Sequence, residues 1–152
     1  MRQENPFQDK ALWAARIGTV FYMLWSIVHF QAAVAVFGAA RGLQLTPVQG
    51  RVNQDAFFLL SCAIAVLVVS VVLTWRNSPL GYWLDLAIAG VADVGFIAFV
   101  LAPGHAQLWP GLEGPIAWAL GWAFTTYGLV GRAGIPADQD VVSRLATNGE
   151  DG

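Results

Sequence analysis

The stretch Ala56 to Trp75 reads AFFLLSCAIAVLVVSVVLTW and contains no charged residue, no glycine and no proline. Its β-branched residues would suit a buried strand in a soluble protein, but such strands end after about 4–8 residues and this run carries no turn signal. As a helix, at about 1.5 Å rise per residue, it is long enough to cross a hydrocarbon core of about 30 Å. A helix also satisfies its own backbone polar groups, which lipid cannot do. The run therefore predicts a membrane span, and its neighbours are read against it.

Upstream, Ile17 to Ala40 holds no Asp, Glu, Lys or Arg. Downstream, Leu80 to Ala102 is apolar apart from Asp85 and Asp93, and Gly114 to Gly131 is a shorter run rich in Gly, Ala and Trp. The whole composition agrees. Of 152 residues 57% are hydrophobic and 12% charged, against about 45–50% and about 25% in soluble domains. The turn Arg76-Asn77-Ser78-Pro79 is too short to leave its flanking spans anything but antiparallel neighbours. The expected fold is an all-α integral membrane four-helix bundle, up-down-up-down, with spans at about 17–40, 56–75, 80–102 and 114–131 inside a domain 1–133. A polar tail follows at 134–152, where Asp138, Asp140, Glu150 and Asp151 stand among few large apolar groups. Asn5 and Pro6 give a helix start ahead of span 1, and Ala117/Gly121, Ala98/Ala102 and Ala35/Ala39 offer small-residue faces for close helix contact.

Cations set the orientation, because Lys and Arg near span ends stay in the cytoplasm. Arg2, Lys10, Arg16, Arg76, Arg132 and Arg144 fall on one side and only Arg41 and Arg51 on the other. Both termini are therefore expected in the cytoplasm, with the protein in the cell inner (plasma) membrane. Trp13, Trp75 and Trp83 fall at the inner interface and Trp109 in the outer loop, where indoles settle at headgroup level. The first apolar run exceeds a signal-peptide core of about 7–15 residues, so it is read as a retained span. The loop Arg41 to Gln54 is expected to fold over the bundle, with Asp55 in the first turn of span 2.

Several function classes drop out. A net charge of −2 without any Lys/Arg cluster gives no nucleic-acid surface. Cys62 is the only cysteine, which excludes an intrachain disulfide, a four-cysteine zinc site and a Cys-x-x-Cys redox pair. The chain has no Walker loop, dinucleotide fingerprint, HExxH or Gly-x-Ser-x-Gly. No cofactor is expected, and His105 with Glu113 in the outer loop makes too thin a metal site.

Ionisable groups within spans are costly and point to function by default. His29 lies 13 residues beyond Arg16 and Asp93 13 beyond Leu80, so the two share a depth. If spans 1 and 3 meet, the pair is placed to hold or move one proton, with His29 and Asp93 as the candidate catalytic residues. Structural polar contacts between helices would use the same residue types. Asp85 is eight residues from Asp93, about 12 Å along the helix and about 80° around it, too far for a shared-proton pair of carboxylates. Asp85, Gln31, Trp25, Trp122 and Thr125 are candidates to line a ligand cavity, although buried indoles more often pack and threonines more often bond their own helix. These residues fit a lipophilic or small amphipathic ligand, with acid–base chemistry of isomerase, hydratase or lyase type. The alternatives are an accessory or assembly subunit of a larger membrane complex, or a proton-coupled transporter working as a homo-oligomer. The bilayer itself is the expected partner, and no nucleic acid is.

Overall fold

The computed structural model describes residues 6–43 and 46–133. Among them there is no strand. Helix α1 runs Pro6–Arg41, α2 Pro47–Val72, α3 Pro79–Phe96, α4 Leu108–Gly111 and α5 Glu113–Ala133. A 3-10 turn at Thr74–Arg76 ends α2, and a π-helical turn at Ile97–Leu101 extends α3. Three helical stretches, Gln8–Arg41, Pro47–Arg76 and Pro79–Leu101, are long and apolar enough to cross a membrane, the mark of a membrane protein. Helix α5 is not among them, because its glycines, tryptophans and threonines dilute its apolar character. The polar tail 134–152, Asn5, Arg2 and Arg144 lie outside the described residues.

The expected helix start at Pro6 is met, and the start of the second helix differs from the sequence reading. Pro6 opens α1 as a direct extension of the first span, making a helix of 36 residues. Helix α2 starts at Pro47, capped by Thr46, whose side chain accepts from the Gln49 amide at 3.4 Å. Most of the expected lid is thus helix. Asp55 sits about two turns inside α2 and is not a first-turn acid. The reason is local: proline fixes φ for a first turn and lacks the N–H that would go unpaired there. At the other end of α2, Asn77 adopts φ 55°, and Ser78-Pro79 launches α3. Asn77 Nδ2 donates to the Gly128 carbonyl at 2.9 Å, and Arg132 Nη1 donates to the Asn77 carbonyl at 2.7 Å. The turn is thereby tied to the far end of α5.

Helix α1 packs along α2 and α5, and α3 packs along the same two, so α1 and α3 face each other across a diagonal. The α1–α5 contact is the closest. Gly114 meets His29, Gly121 meets the Tyr22 ring, and Gly128 meets Ala11 and Ala15. Numbers rise on α5 as they fall on α1, so the pair is antiparallel. On α1 the buried positions Ala11, Ala15, Gly18, Tyr22, Trp25 and His29 alternate steps of four and three, the seam along which two helices stay in register. Of the three expected small-residue faces only Ala117/Gly121 is buried; Ala35, Ala39, Ala98 and Ala102 are exposed. Spacing alone cannot say which face of a helix turns inward.

Around a core of Tyr22, Trp25 and Val66 the interior is mostly small or polar, and the exterior is large and apolar. Thr19, Ser26, Ser70, Thr74, Asp85, Asp93 and Thr125 are buried with a set of alanines, whereas Phe99 is 77% and Val91 76% exposed. Water penalises such an exterior, and lipid does not.

Enlarging Gly128 tests the seam. A Cβ there would lie 2.9 Å from the Ala11 carbonyl and from the Ala15 Cβ. Gly128→Leu is expected to lower stability by roughly 1–3 kcal/mol through overpacking, read by thermal unfolding in maltoside micelles. Gly38→Leu, where nothing lies within 4 Å, should leave stability unchanged or raise it.

Candidate functional site

The centre of the molecule is built from one diagonal contact. Trp25 and His29, one turn apart on α1, stack their rings with centroids 3.8 Å apart. From that stack Trp25 Nε1 reaches across to α3 and donates to Asp93 Oδ2 at 2.7 Å. His29 Nε2 lies 3.3 Å from Asp93 Oδ1. The shared depth of His29 and Asp93 is thus realised, even though their helices are diagonal, because an indole and an imidazole are long enough to span the axis. Asp93 is fully buried and His29 is 8% exposed.

One hydrogen bond fixes which imidazole nitrogen faces Asp93. His29 Nδ1 stands 2.9 Å from the Trp25 carbonyl oxygen. A carbonyl only accepts, so Nδ1 carries hydrogen. Nε2 is left to face Asp93 Oδ1, a buried oxygen with no hydrogen-bond partner among the described residues. The 3.3 Å separation is longer than the 2.7–2.9 Å typical of a charge-assisted bond, so Asp93 orients His29 without clamping it.

Gly114 completes the arrangement. A Cβ at this position would come within 2.5 Å of His29 Cε1 and 3.3 Å of Asp93 Oδ1. Only glycine lets the start of α5 close over the pair, and it brings the positive end of the helix dipole to the Asp93 carboxyl. Helix α5 therefore begins at the level of His29, about 20 Å along α1 from Arg16.

Beside His29 opens a cavity of about 370 Å³, bounded by α1, α2, α3 and the α4–α5 junction. Most of its wall is apolar, including Val28, Leu59, Phe96 and Pro110; its polar side chains are His29, Gln31 and Glu113. Of the candidates drawn from the sequence, His29 and Gln31 line this cavity and the others do not. Asp93 stands behind His29. Trp25 is wholly buried and serves Asp93. Trp122 Nε1 donates to the Tyr82 hydroxyl at 3.1 Å, and Tyr82 in turn contacts Thr126 Oγ1 at 3.1 Å, a chain that ties α3 to α5. Thr125 donates to the Gly121 carbonyl of its own helix at 2.8 Å.

Asp85 belongs to a second polar cluster, nearer the turn that joins α2 to α3. Ser70 and Thr74 both donate to its Oδ2, at 2.9 and 2.7 Å, and Tyr22 is buried beside Thr125 within electrostatic reach of it. This cluster joins α2 to α3 and does not open to the cavity beside His29. Glu113 is the residue that sequence reasoning placed wrongly, as part of an outer loop. The available signal was Glu113-Gly114-Pro115, an acid and a proline flanking a glycine at a helix start. Among the described residues no group of three or more His, Cys, Asp or Glu side chains is placed to hold a metal.

Two outcomes test this geometry. Trp25→Phe keeps an aromatic ring but leaves Asp93 Oδ2 without its donor, which should lower stability by roughly 1–3 kcal/mol in thermal unfolding. The chain has two histidines, so nitrogen-15 spectra of His105→Asn protein report His29 alone. They should show Nδ1 protonated; a bare Nδ1 would contradict the bond from Nδ1 to the Trp25 carbonyl. No protein family, curated protein or solved structure matches this chain, and the site's own geometry is what speaks for its function.

Proposed function

We propose that the protein is an integral membrane four-helix bundle that takes a lipophilic or small amphipathic molecule into the cavity beside His29. The observation that carries this reading is the cavity itself. Its 370 Å³ lies in the size range of small-molecule sites, its wall is largely apolar, and its one nearly buried titratable face is an imidazole backed by a fully buried carboxyl. A molecule entering from lipid would leave its apolar body against Leu59 and Phe96 and bring a polar end to His29. Bilayer-buried acids and histidines are costly to keep, which favours a functional reason for this pair.

The chemistry that suits the pair is acid–base, of isomerase, hydratase or lyase type. In an isomerisation, a proton taken from one carbon of the ligand returns to another, so the His29–Asp93 pair ends with the proton it began with and needs no co-reactant. His29 Nε2, loosely held at 3.3 Å from Asp93, would turn to the ligand and move the proton while Nδ1 stays on the Trp25 carbonyl and the Asp93 carboxylate balances the imidazolium.

The proposed topology is up-down-up-down with both termini in the cytoplasm of an inner (plasma) membrane. Helix α5 is its fourth span. Its outward residues Ile116, Tyr127 and Val130 are large and exposed, as in the other three helices, and it runs from the level of His29 past that of Arg16, about 20 Å away, with α4 lying beyond its outer end. Arg16 supports the placement of the inner boundary, since its guanidinium lies 5.4 Å from the ring centroids of both Trp13 and Trp75. Basic and indole groups of α1 and α2 thus gather at one level, as they do at headgroups.

Native mass spectrometry of gently solubilised protein tests the ligand. A discrete lipophilic molecule should be released from wild type and be missing from Ala32→Phe, which fills the cavity, and from Asp93→Asn. Identical small-molecule contents in all three would defeat the proposal. With the ligand class known, turnover should depend on pH through an ionisation that disappears in His29→Ala. For topology, in a Cys62→Ser background, a cysteine at Gly50 should react with an impermeant thiol reagent added to whole cells, and one at Asn77 should not.

A further inference from the structure

We propose that Glu113 makes the cavity selective for cationic amphiphiles, molecules with an apolar body and an amine or quaternary ammonium end. This inference rests on the reading of the cavity as a ligand site and adds the charge of the ligand to it. The argument starts from position. Glu113 precedes Gly114, the residue that lies against His29 and Asp93, and it lines the same cavity as His29. Glu113 therefore belongs to the first turn of α5 and to the wall of the cavity onto which His29 opens.

Charge counting then decides the sign. The His29–Asp93 pair adds no net positive charge, because the Asp93 carboxylate would balance an imidazolium. No Lys or Arg lines the cavity, and among the described residues Glu113 forms no ion pair. The cavity wall carries one net negative charge, and that charge is Glu113. The nearest helices bring no compensation to it. Arg41 lies six residues beyond Ala35 on α1, about 9 Å farther outward. Arg51 lies eight residues before Leu59 on α2, about 12 Å farther outward, where it bonds Gln54 Oε1 at 3.0 Å. Asp55, about one turn outward of Leu59 on α2, adds charge of the same sign, and His105 lies exposed in the loop before α4.

A carboxylate in such surroundings needs a countercharge. The dipole of α5 supplies part of it, and a bound cation would supply the rest. An anionic ligand would face Glu113 and the Asp93 carboxyl together. A neutral ligand would displace water from Glu113 and return nothing for it. Phe96 in the cavity wall adds an aromatic ring, whose face attracts alkylammonium groups, and the Gln31 amide oxygen offers a further acceptor. A carboxylate and an aromatic ring beside an apolar groove are the chemistry that recognises a lipophilic ammonium.

Three probes of one chain length test this: octyltrimethylammonium, octanol and octanoate, each titrated into the full chain in maltoside micelles and read by tryptophan fluorescence. Wild type should bind the ammonium about tenfold or more tightly than the alcohol, with the carboxylate weakest, and added salt should narrow the gap. Glu113→Gln should bring ammonium and alcohol to similar affinity while alcohol binding persists, and Glu113→Asp should keep much of the preference. Alcohol or carboxylate binding as tightly as ammonium in wild type overturns the charge selectivity and leaves the cavity reading standing. If no probe binds wild type more tightly than Ala32→Phe, both the selectivity and the cavity reading fail. The wild-type ranking decides the proposal even where a Glu113 variant does not fold.

Discussion

The close approach of α5 to α1 is the constraint on which the other features depend. Gly114, Gly121 and Gly128 recur every seven residues and face Ala11, Ala15, Gly18, Tyr22 and His29. Without side chains on one partner, the two backbones come near enough to gain dense van der Waals contact, which must supply cohesion between helices when lipid is as apolar as the helices themselves. This contact sets the height at which α5 begins. That height places Gly114 over the His29–Asp93 pair and Glu113 in the wall of the adjoining cavity. A bulkier residue at any of the three positions would move the site as well as the helix.

A second consequence is where polarity can be kept. Around the buried rings of Tyr22 and Trp25, the residues between the inward faces are chiefly alanines, hydroxyl side chains and two carboxyls. Each buried acid has its own donors. Asp93 takes the Trp25 indole and the His29 imidazole, while Asp85 takes Ser70 and Thr74. The two acids of α3 thus serve different helix pairs at different levels. Asp85 secures α3 to α2 near the inner turn. Asp93 reaches α1 across the diagonal and is the one whose partner opens onto a cavity. Similar residues on one helix therefore carry unlike roles, and the difference comes from which neighbouring helix stands opposite each.

How much of this was legible follows from the period of each signal. Long uncharged runs show in the chain itself because lipid imposes length and composition on a helix residue by residue. The shared depth of His29 and Asp93 was legible for the same reason, since rise per residue is fixed and both can be counted from a basic or turn residue at the inner end. Helix starts at Pro6 and Pro79 follow from the local geometry of proline. Pro47 carried the same signal, but the uncharged run beginning at Ala56 hid it. Small-residue pairs were a poorer guide: Ala98/Ala102 and Ala35/Ala39 have the right spacing and lie on exposed faces.

The sequence by itself determined that the chain is helical, that it holds segments long and apolar enough for a membrane, and that its costly polar residues are few and lie at particular heights. Only the tertiary structure decided which helices are neighbours and which are diagonal. It therefore decided that Trp25 serves Asp93, that Trp122 ties α5 to α3 while Thr125 bonds its own helix, and that Glu113 shares a cavity with His29. The physical reason is that height along a helix is set by local rise, whereas direction around it acquires meaning only when another helix, chosen by packing over the whole chain, stands in that direction.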